Sequence, residues 1–169
     1  MNVTAGIARG ALAGAAGTVV MTMLMRVVGP KVAPKEMRPD EFVPKKVVEW
    51  MERQAGRPDA LNENQELKAS YGVHFGYGSS IGALYGSLRN RLPGLPAPLA
   101  GALFGLAVWG VNFEGVMPAT GMDKAATQKP PRKWPMPIIA HLVYGVVSAL
   151  AYERPDRASH MVAGKVKRG

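Results

Sequence analysis

Two stretches of this chain repeat one pattern of chemically capable residues. HFGYGSSIGALY runs from His74 to Tyr85, and HLVYGVVSALAY runs from His141 to Tyr152. Each reads H-x-x-Y-G and ends on a second tyrosine, and two of the chain's three histidines head the two copies. Imidazole changes charge near neutrality, ligates metals and relays protons. Tyr77 and Tyr144 each follow their histidine by three residues, so on a helix each shares its histidine's face. Two further ionisable groups stand inside apolar sequence: Arg26 in MLMRVV and Glu114 in VNFEG.

Ionisable groups within apolar segments are costly and face a partner in the protein interior. Four readings of His74, Glu114, His141, Tyr77, Tyr144 and Arg26 stay open at this stage. The first is structural: interhelical hydrogen bonds worth roughly 0.6–2 kcal/mol each that fix helix register. The second is proton or cation handling, with Glu114 beside a histidine as a relay. The third is a metal site of His74, His141 and Glu114, a familiar ligand set. Met21, Met25, Met117, Met122 and Met136 lie toward the same end and would give a softer, copper-type site. The fourth makes His74 and His141 the axial ligands of a haem b. No catalytic residue is assigned. The sequence holds no HExxH, no phosphate loop and no nucleophile motif, and GYGSSIG misses the dinucleotide fingerprint with no strand before it. The absence of cysteine excludes disulfides, thiolate metal sites and cysteine nucleophiles.

These groups must be carried by helices. The 169 residues average a hydropathy of −0.01, but the apolar and charged residues are segregated. Residues 3–28 read as a first span, charged only at Arg9 and Arg26. No basic cluster precedes the apolar run, so it reads as a retained span and not a cleaved signal peptide. GPK is expected to end this helix. Residues 69–88, 98–117 and 135–153 read as three more spans, each about long enough for a ~30 Å hydrocarbon layer. The expected fold is one all-α membrane domain over 1–169, a bundle of four transmembrane helices. The loop 30–68 is polar. Within it PDEFVPKKVVEWMERQAG predicts an amphipathic helix, interfacial on the bilayer or else packed on the loop, with Asp40 as cap, Gly56 as stop and Val43, Val47, Met51 and Trp50 on its apolar stripe. A basic tail fills 154–169. The net charge of +9 is thus spread at span ends, which fits membrane charge bias and not a nucleic-acid stripe.

The first and third spans also share a motif, GALAG from Gly10 and GALFG from Gly101. The chain then reads as two parallel helix-hairpin repeats. Gly10 with Gly14, Gly78 with Gly82, Gly101 with Gly105, and Gly145 are read as packing glycines, because close backbone approach is what holds helices together in lipid.

AGAAGTVVM, HFGYGSSIGALYG, GALFGLAVWG and HLVYG together resemble the YagU-like family of small bacterial inner-membrane proteins. The resemblance implies a multi-pass, four-helix protein of the bacterial inner (cytoplasmic) membrane and transfers no activity. The leading functional expectation is a non-enzymatic accessory or structural subunit that packs against itself or a larger membrane complex, with no cofactor. The alternative is a bundle that handles protons, a metal ion or haem b through His74, Glu114 and His141.

Overall fold

The computed structural model describes residues 3–38, 42–89 and 94–153. The Asp40 cap and the tail over 154–169 lie outside them. The described residues are helical, with no strand among them.

Helix α1 (Val3–Met23) continues through a π segment, Leu24–Val28, into a last α turn, Gly29–Val32. GPK therefore does not end the helix. The reason lies in Pro30. A proline inside an α-helix has no N–H to give and crowds the carbonyl four residues back. Widening the turn relieves both: the Gly29 N–H bonds five residues back to the Leu24 carbonyl. The third long helix repeats the device. Helix α4 (Ala97–Gly110) runs into a π segment, Val111–Val116, and a closing turn, Met117–Ala119, that holds Pro118. There the Met117 N–H bonds back to Asn112.

Between them, α2 (Val43–Gln54) is the amphipathic helix, and it stops where Gly56 takes φ +68°. Helix α3 (Glu63–Leu88) begins earlier than the span expected from residue 69, because Asn62 caps it. The Gln65 N–H donates to Asn62 Oδ1 at 3.0 Å, and the Asn62 N–H donates to Gln65 Oε1 at 3.0 Å, which satisfies two amides the helix would otherwise leave open. Helix α5 covers Pro135–Glu153.

Helices α1 and α3 form one antiparallel hairpin, and α4 and α5 form the other. Helix α1 also packs on α5, so α1 and α5 are the central pair, while α3 and α4 have at most marginal backbone contact. Both hairpins close on bare backbone. A Cβ on Gly14 would meet Gly82 Cα at 2.7 Å, and one on Gly101 would meet the Gly145 carbonyl carbon at 2.8 Å. Gly10 lies on Gly82 and Gly86, Gly78 on Thr18, and Gly105 on His141 and Gly145.

The two halves repeat, but not in the register that GALAG and GALFG suggest. Those motifs pair Gly10 with Gly101. In the structure Gly14 meets Gly78 and Gly82 as Gly101 meets Gly145 and Ala149, so Gly101 corresponds to Gly14. The π segments agree, since Leu24 and Val111 are separated by the same 87 positions as Gly14 and Gly101. Motif identity therefore misplaced the repeat by one helical turn.

Thr4–Val32, Ala97–Ala119 and Pro131–Glu153 are long and apolar enough to cross a membrane. Helix α3 does not reach that hydropathy, because Gly, Ser, His and Tyr dilute it. Among the described residues three such helices are found where four spans were expected.

Candidate functional site

The hairpins do not close on each other at the end that carries the long loops. There they enclose a cavity of about 270 Å³. All four bundle helices line it. Thr18, Met21, Thr22 and Met25 come from α1 and its π segment, His74, Tyr77 and Ile81 from α3, and Val108, Asn112 and Phe113 from α4 and its π segment. Helix α5 adds Ala140, His141 and Tyr144. In the structural register Met21 corresponds to Val108 and Met25 to Asn112, so the repeat itself builds facing walls. Each lies within or one turn before its π segment.

Helix α2 covers the cavity from the loop side. Phe42, Val43, Pro44 and Val47 line it. The helix is tied down at its other edge, where Trp50 Nε1 donates to the Thr120 carbonyl at 3.1 Å and Lys46 pairs with Asp123 at 2.9 Å. Val43 and Val47 of the expected stripe thus face inward, whereas Met51 is exposed and Val48 is the buried residue of the helix. Asp123 also receives Lys129 Nζ, at 2.6 Å, and the Lys124 N–H, at 2.8 Å. Partial burial works to raise this carboxyl, but the hydrogen bonds from Lys129, Lys46 and the Lys124 backbone outweigh it. Its pKa lies below the ordinary aspartate value of 3.8.

The two histidines occupy comparable settings. His74 stands edge-on to Phe42 with ring centroids 5.6 Å apart, and His141 stands edge-on to Phe113 at 5.6 Å. His141 Nδ1 is 2.8 Å from the Pro137 carbonyl. A carbonyl only accepts, so Nδ1 carries a proton, and in the neutral ring Nε2 is an acceptor. His74 makes no hydrogen bond among the described residues. The tyrosines are committed: Tyr144 donates to the Gly78 carbonyl at 2.6 Å, and Tyr77 to Asn112 Oδ1 at 2.9 Å. The second tyrosines of the repeat meet at the far end of the bundle, where Tyr85 and Tyr152 pack edge-on at 5.8 Å.

Glu114 and Arg26 are not in this site. The Glu114 carboxylate accepts from the Thr127 N–H at 3.0 Å and the Thr127 hydroxyl at 2.9 Å. It lies in the π segment and turns to the short helix Ala126–Gln128. Arg26 lies over the Phe42 ring at 5.1 Å and the Tyr71 ring at 5.7 Å, outside the cavity wall. The metal set of His74, His141 and Glu114 is thus not assembled. No three His, Asp or Glu among the described residues come together as ligands. Met21, Met25, Met117 and Met122 do line the same cavity, while Met136 packs near Gly29. Haem b meets a problem of room. A cavity of about 150 Å³ is filled by one benzene ring, and 270 Å³ does not admit a four-pyrrole macrocycle.

The sequence left α2 open between the bilayer surface and the loop, and the contacts of Trp50 and Lys46 place it on the loop; the place of Asn112 opposite Tyr77 was missed.

A family described only as one of unknown function (DUF6789) matches residues 4–162. No curated protein and no solved structure matches. The YagU-like resemblance rests on its short motifs alone.

Proposed function

We propose that this chain, which belongs to the DUF6789 family, is a four-span membrane protein that binds a small lipophilic molecule between its two hairpins. The observation that carries the reading is the cavity: about 270 Å³, walled mainly by apolar and aromatic side chains, with a few polar groups converging on it. Such a pocket is the default binding site of a protein whose chemistry is unassigned. Nothing in it forms a nucleophile with its base, so the reading is binding and not catalysis.

Packing supports a reading of four spans. Helix α3 carries no Asp, Glu, Lys or Arg from Ala69 to Leu88, about 30 Å of helix. It lies backbone to backbone along α1, which is itself apolar enough to cross. The outer faces agree. Leu12, Leu84, Leu103 and Leu150 are exposed, one on each bundle helix, and such surface is stable against lipid but not against water. The bacterial inner membrane remains the location suggested by the YagU-like motifs. The same outer faces leave room for self-association or docking on a larger membrane complex, the accessory-subunit reading.

The test is saturable binding of a fluorinated alkylbenzene to the protein in nanodiscs, followed by fluorine NMR. Wild type should show a saturable component above that of protein-free nanodiscs. Ile81→Trp and Val108→Trp, which fill the cavity, should lose it. Binding that is absent in wild type, or unchanged in both filled variants, sinks the proposal. Co-purification of a larger assembly, with no probe binding, would favour the accessory-subunit reading instead.

A further inference from the structure

We infer that the cavity's ligand is a hydroxylated aromatic ring, of the alkylphenol or hydroquinone class, which donates to His141 Nε2 and enters from the bilayer through the seam between α3 and α4. The inference rests on the reading of the cavity as a binding site and narrows what it takes.

Size comes first. About 150 Å³ houses one benzene ring, so 270 Å³ houses one ring with alkyl substituents. The walls favour a ring over an acyl chain. Phe42, His74, Phe113 and His141 present aromatic faces and edges to one space, and aromatic pairs gain about 0.5–1.5 kcal/mol beyond area burial.

The hydrogen-bond ledger then sets polarity. Most donors in the wall are already spent. Tyr77 gives its proton to Asn112 and Tyr144 to Gly78. Asn112 Nδ2 donates to the Val108 carbonyl, Thr18 to Gly14 and Thr22 to Thr18. His141 gives its Nδ1 proton to its own helix at Pro137, which turns Nε2 away from that helix. What the wall keeps is an acceptor at His141 and, at His74, a ring whose two nitrogens have no hydrogen bond among the described residues. A hydroxyl suits both, since it donates to one imidazole and accepts from the other. A ligand with carbonyls alone would leave the His141 nitrogen unmatched.

The route follows from the packing. Glycines lock α1 to α3 and α4 to α5, and α1 packs on α5. The remaining seam, between α3 and α4, has almost no backbone contact. At cavity level it is crossed by the Tyr77–Asn112 hydrogen bond, and Tyr77 is 44% exposed. The Tyr85 and Phe104 rings close the seam further along, at 5.1 Å, so a molecule dissolved in the bilayer enters at cavity level by displacing the Tyr77–Asn112 bond.

The experiment compares para-tert-butylphenol with its methyl ether, on protein in nanodiscs, each corrected for partition into protein-free nanodiscs. In wild type the phenol should bind about two- to tenfold more tightly, the worth of one net hydrogen bond. In His141→Phe the preference should collapse toward one while the ether still binds. His141→Gln, which keeps a side-chain acceptor, should recover part of it. Equal affinities in wild type, or a preference that survives in His141→Phe, overturn the inference and leave the cavity reading intact, provided both probes are lost in Ile81→Trp. If neither probe binds saturably, the cavity reading falls and this inference falls with it.

Discussion

At the scale of single residues the repeat divides its labour. His74 and His141 face the cavity, while Tyr77 and Tyr144 hold its walls by different means. Tyr144 is buried and ties α5 to the Gly78 carbonyl on α3. Tyr144→Phe should therefore lower stability by about 1 kcal/mol, read as a lower midpoint of thermal unfolding in detergent. An unchanged midpoint would mean that the bond contributes nothing net. Tyr77 is exposed, and its bond crosses the open seam. Tyr77→Phe should leave the midpoint within about 0.5 kcal/mol but speed exchange of a bound aromatic probe, measured by fluorine line shapes. Equal exchange rates in the two proteins would place the entry route elsewhere. The histidines and tyrosines were legible because their spacing is regular. Glu114 and Arg26 misled for a physical reason. Their position in apolar sequence gives their depth but not the face they turn to, and inside a π segment that face does not follow α-helical spacing.

At the scale of elements the same two prolines shape the site. Each π segment widens its helix where the cavity begins, and π segments of this kind recur at functional sites. Pro30→Ala together with Pro118→Ala restores both amides. The helices should then rewind toward i→i−4 bonding, turn Met25 and Asn112 by part of a turn and shrink the cavity. Weaker probe binding with an unchanged or higher melting midpoint is the expected result, and full binding in the double variant would show that the prolines do not set the site. The glycine seams are tested by contrast. A side chain at Gly82 meets Gly14 Cα at 2.5 Å, which is backbone that cannot step aside. Gly82→Leu should part α1 from α3 at a cost of about 3 kcal/mol or more. Gly76 has nothing within 4 Å of an added Cβ, so Gly76→Ala should be neutral or gain up to about 1 kcal/mol. Thermal melting of both variants decides the matter, and equal effects would contradict the packing. The apolar helices were readable because charge and apolarity segregate so sharply along the chain. The start of α3 was harder to see. Its Asn62–Gln65 capping box lies in polar sequence, which a search for apolar spans passes over. The one-turn error in the repeat arose because Gly–Ala motifs recur at every turn of such helices, and only contact shows which glycine meets which.

At the scale of the whole molecule, two hairpins share one seam closed on backbone, α1 on α5, and leave the other with almost no backbone contact at cavity level. The loop end is covered by α2, and Asp123 holds that cover to the loop through Lys46 and Lys129. Because the Asp123 pKa is lowered in the folded protein, its contribution to stability is present above about pH 4 and fades as pH falls through the folded value. Asp123→Asn should lower the melting midpoint at neutral pH by the equivalent of about 1–2 kcal/mol, and the gap to wild type should close in acid. A gap that persists at low pH would mean the aspartate acts by shape and not by charge. That α2 covers the bundle was not legible from its amphipathic pattern. Such a helix suits a bilayer surface and a protein surface equally well, and only the contacts of Phe42, Val43 and Trp50 decide between them. The central claim is that a lipid-soluble ring occupies the space between the hairpins. Photolabelling of the protein in native-composition vesicles with a diazirine-bearing alkylphenol, followed by peptide mass spectrometry, tests it most directly. Label should concentrate on cavity residues such as Met21, Ile81 and Val108 and be removed by excess unlabelled phenol. Label spread over the outer faces at Leu12 and Leu103, and indifferent to competitor, would contradict it.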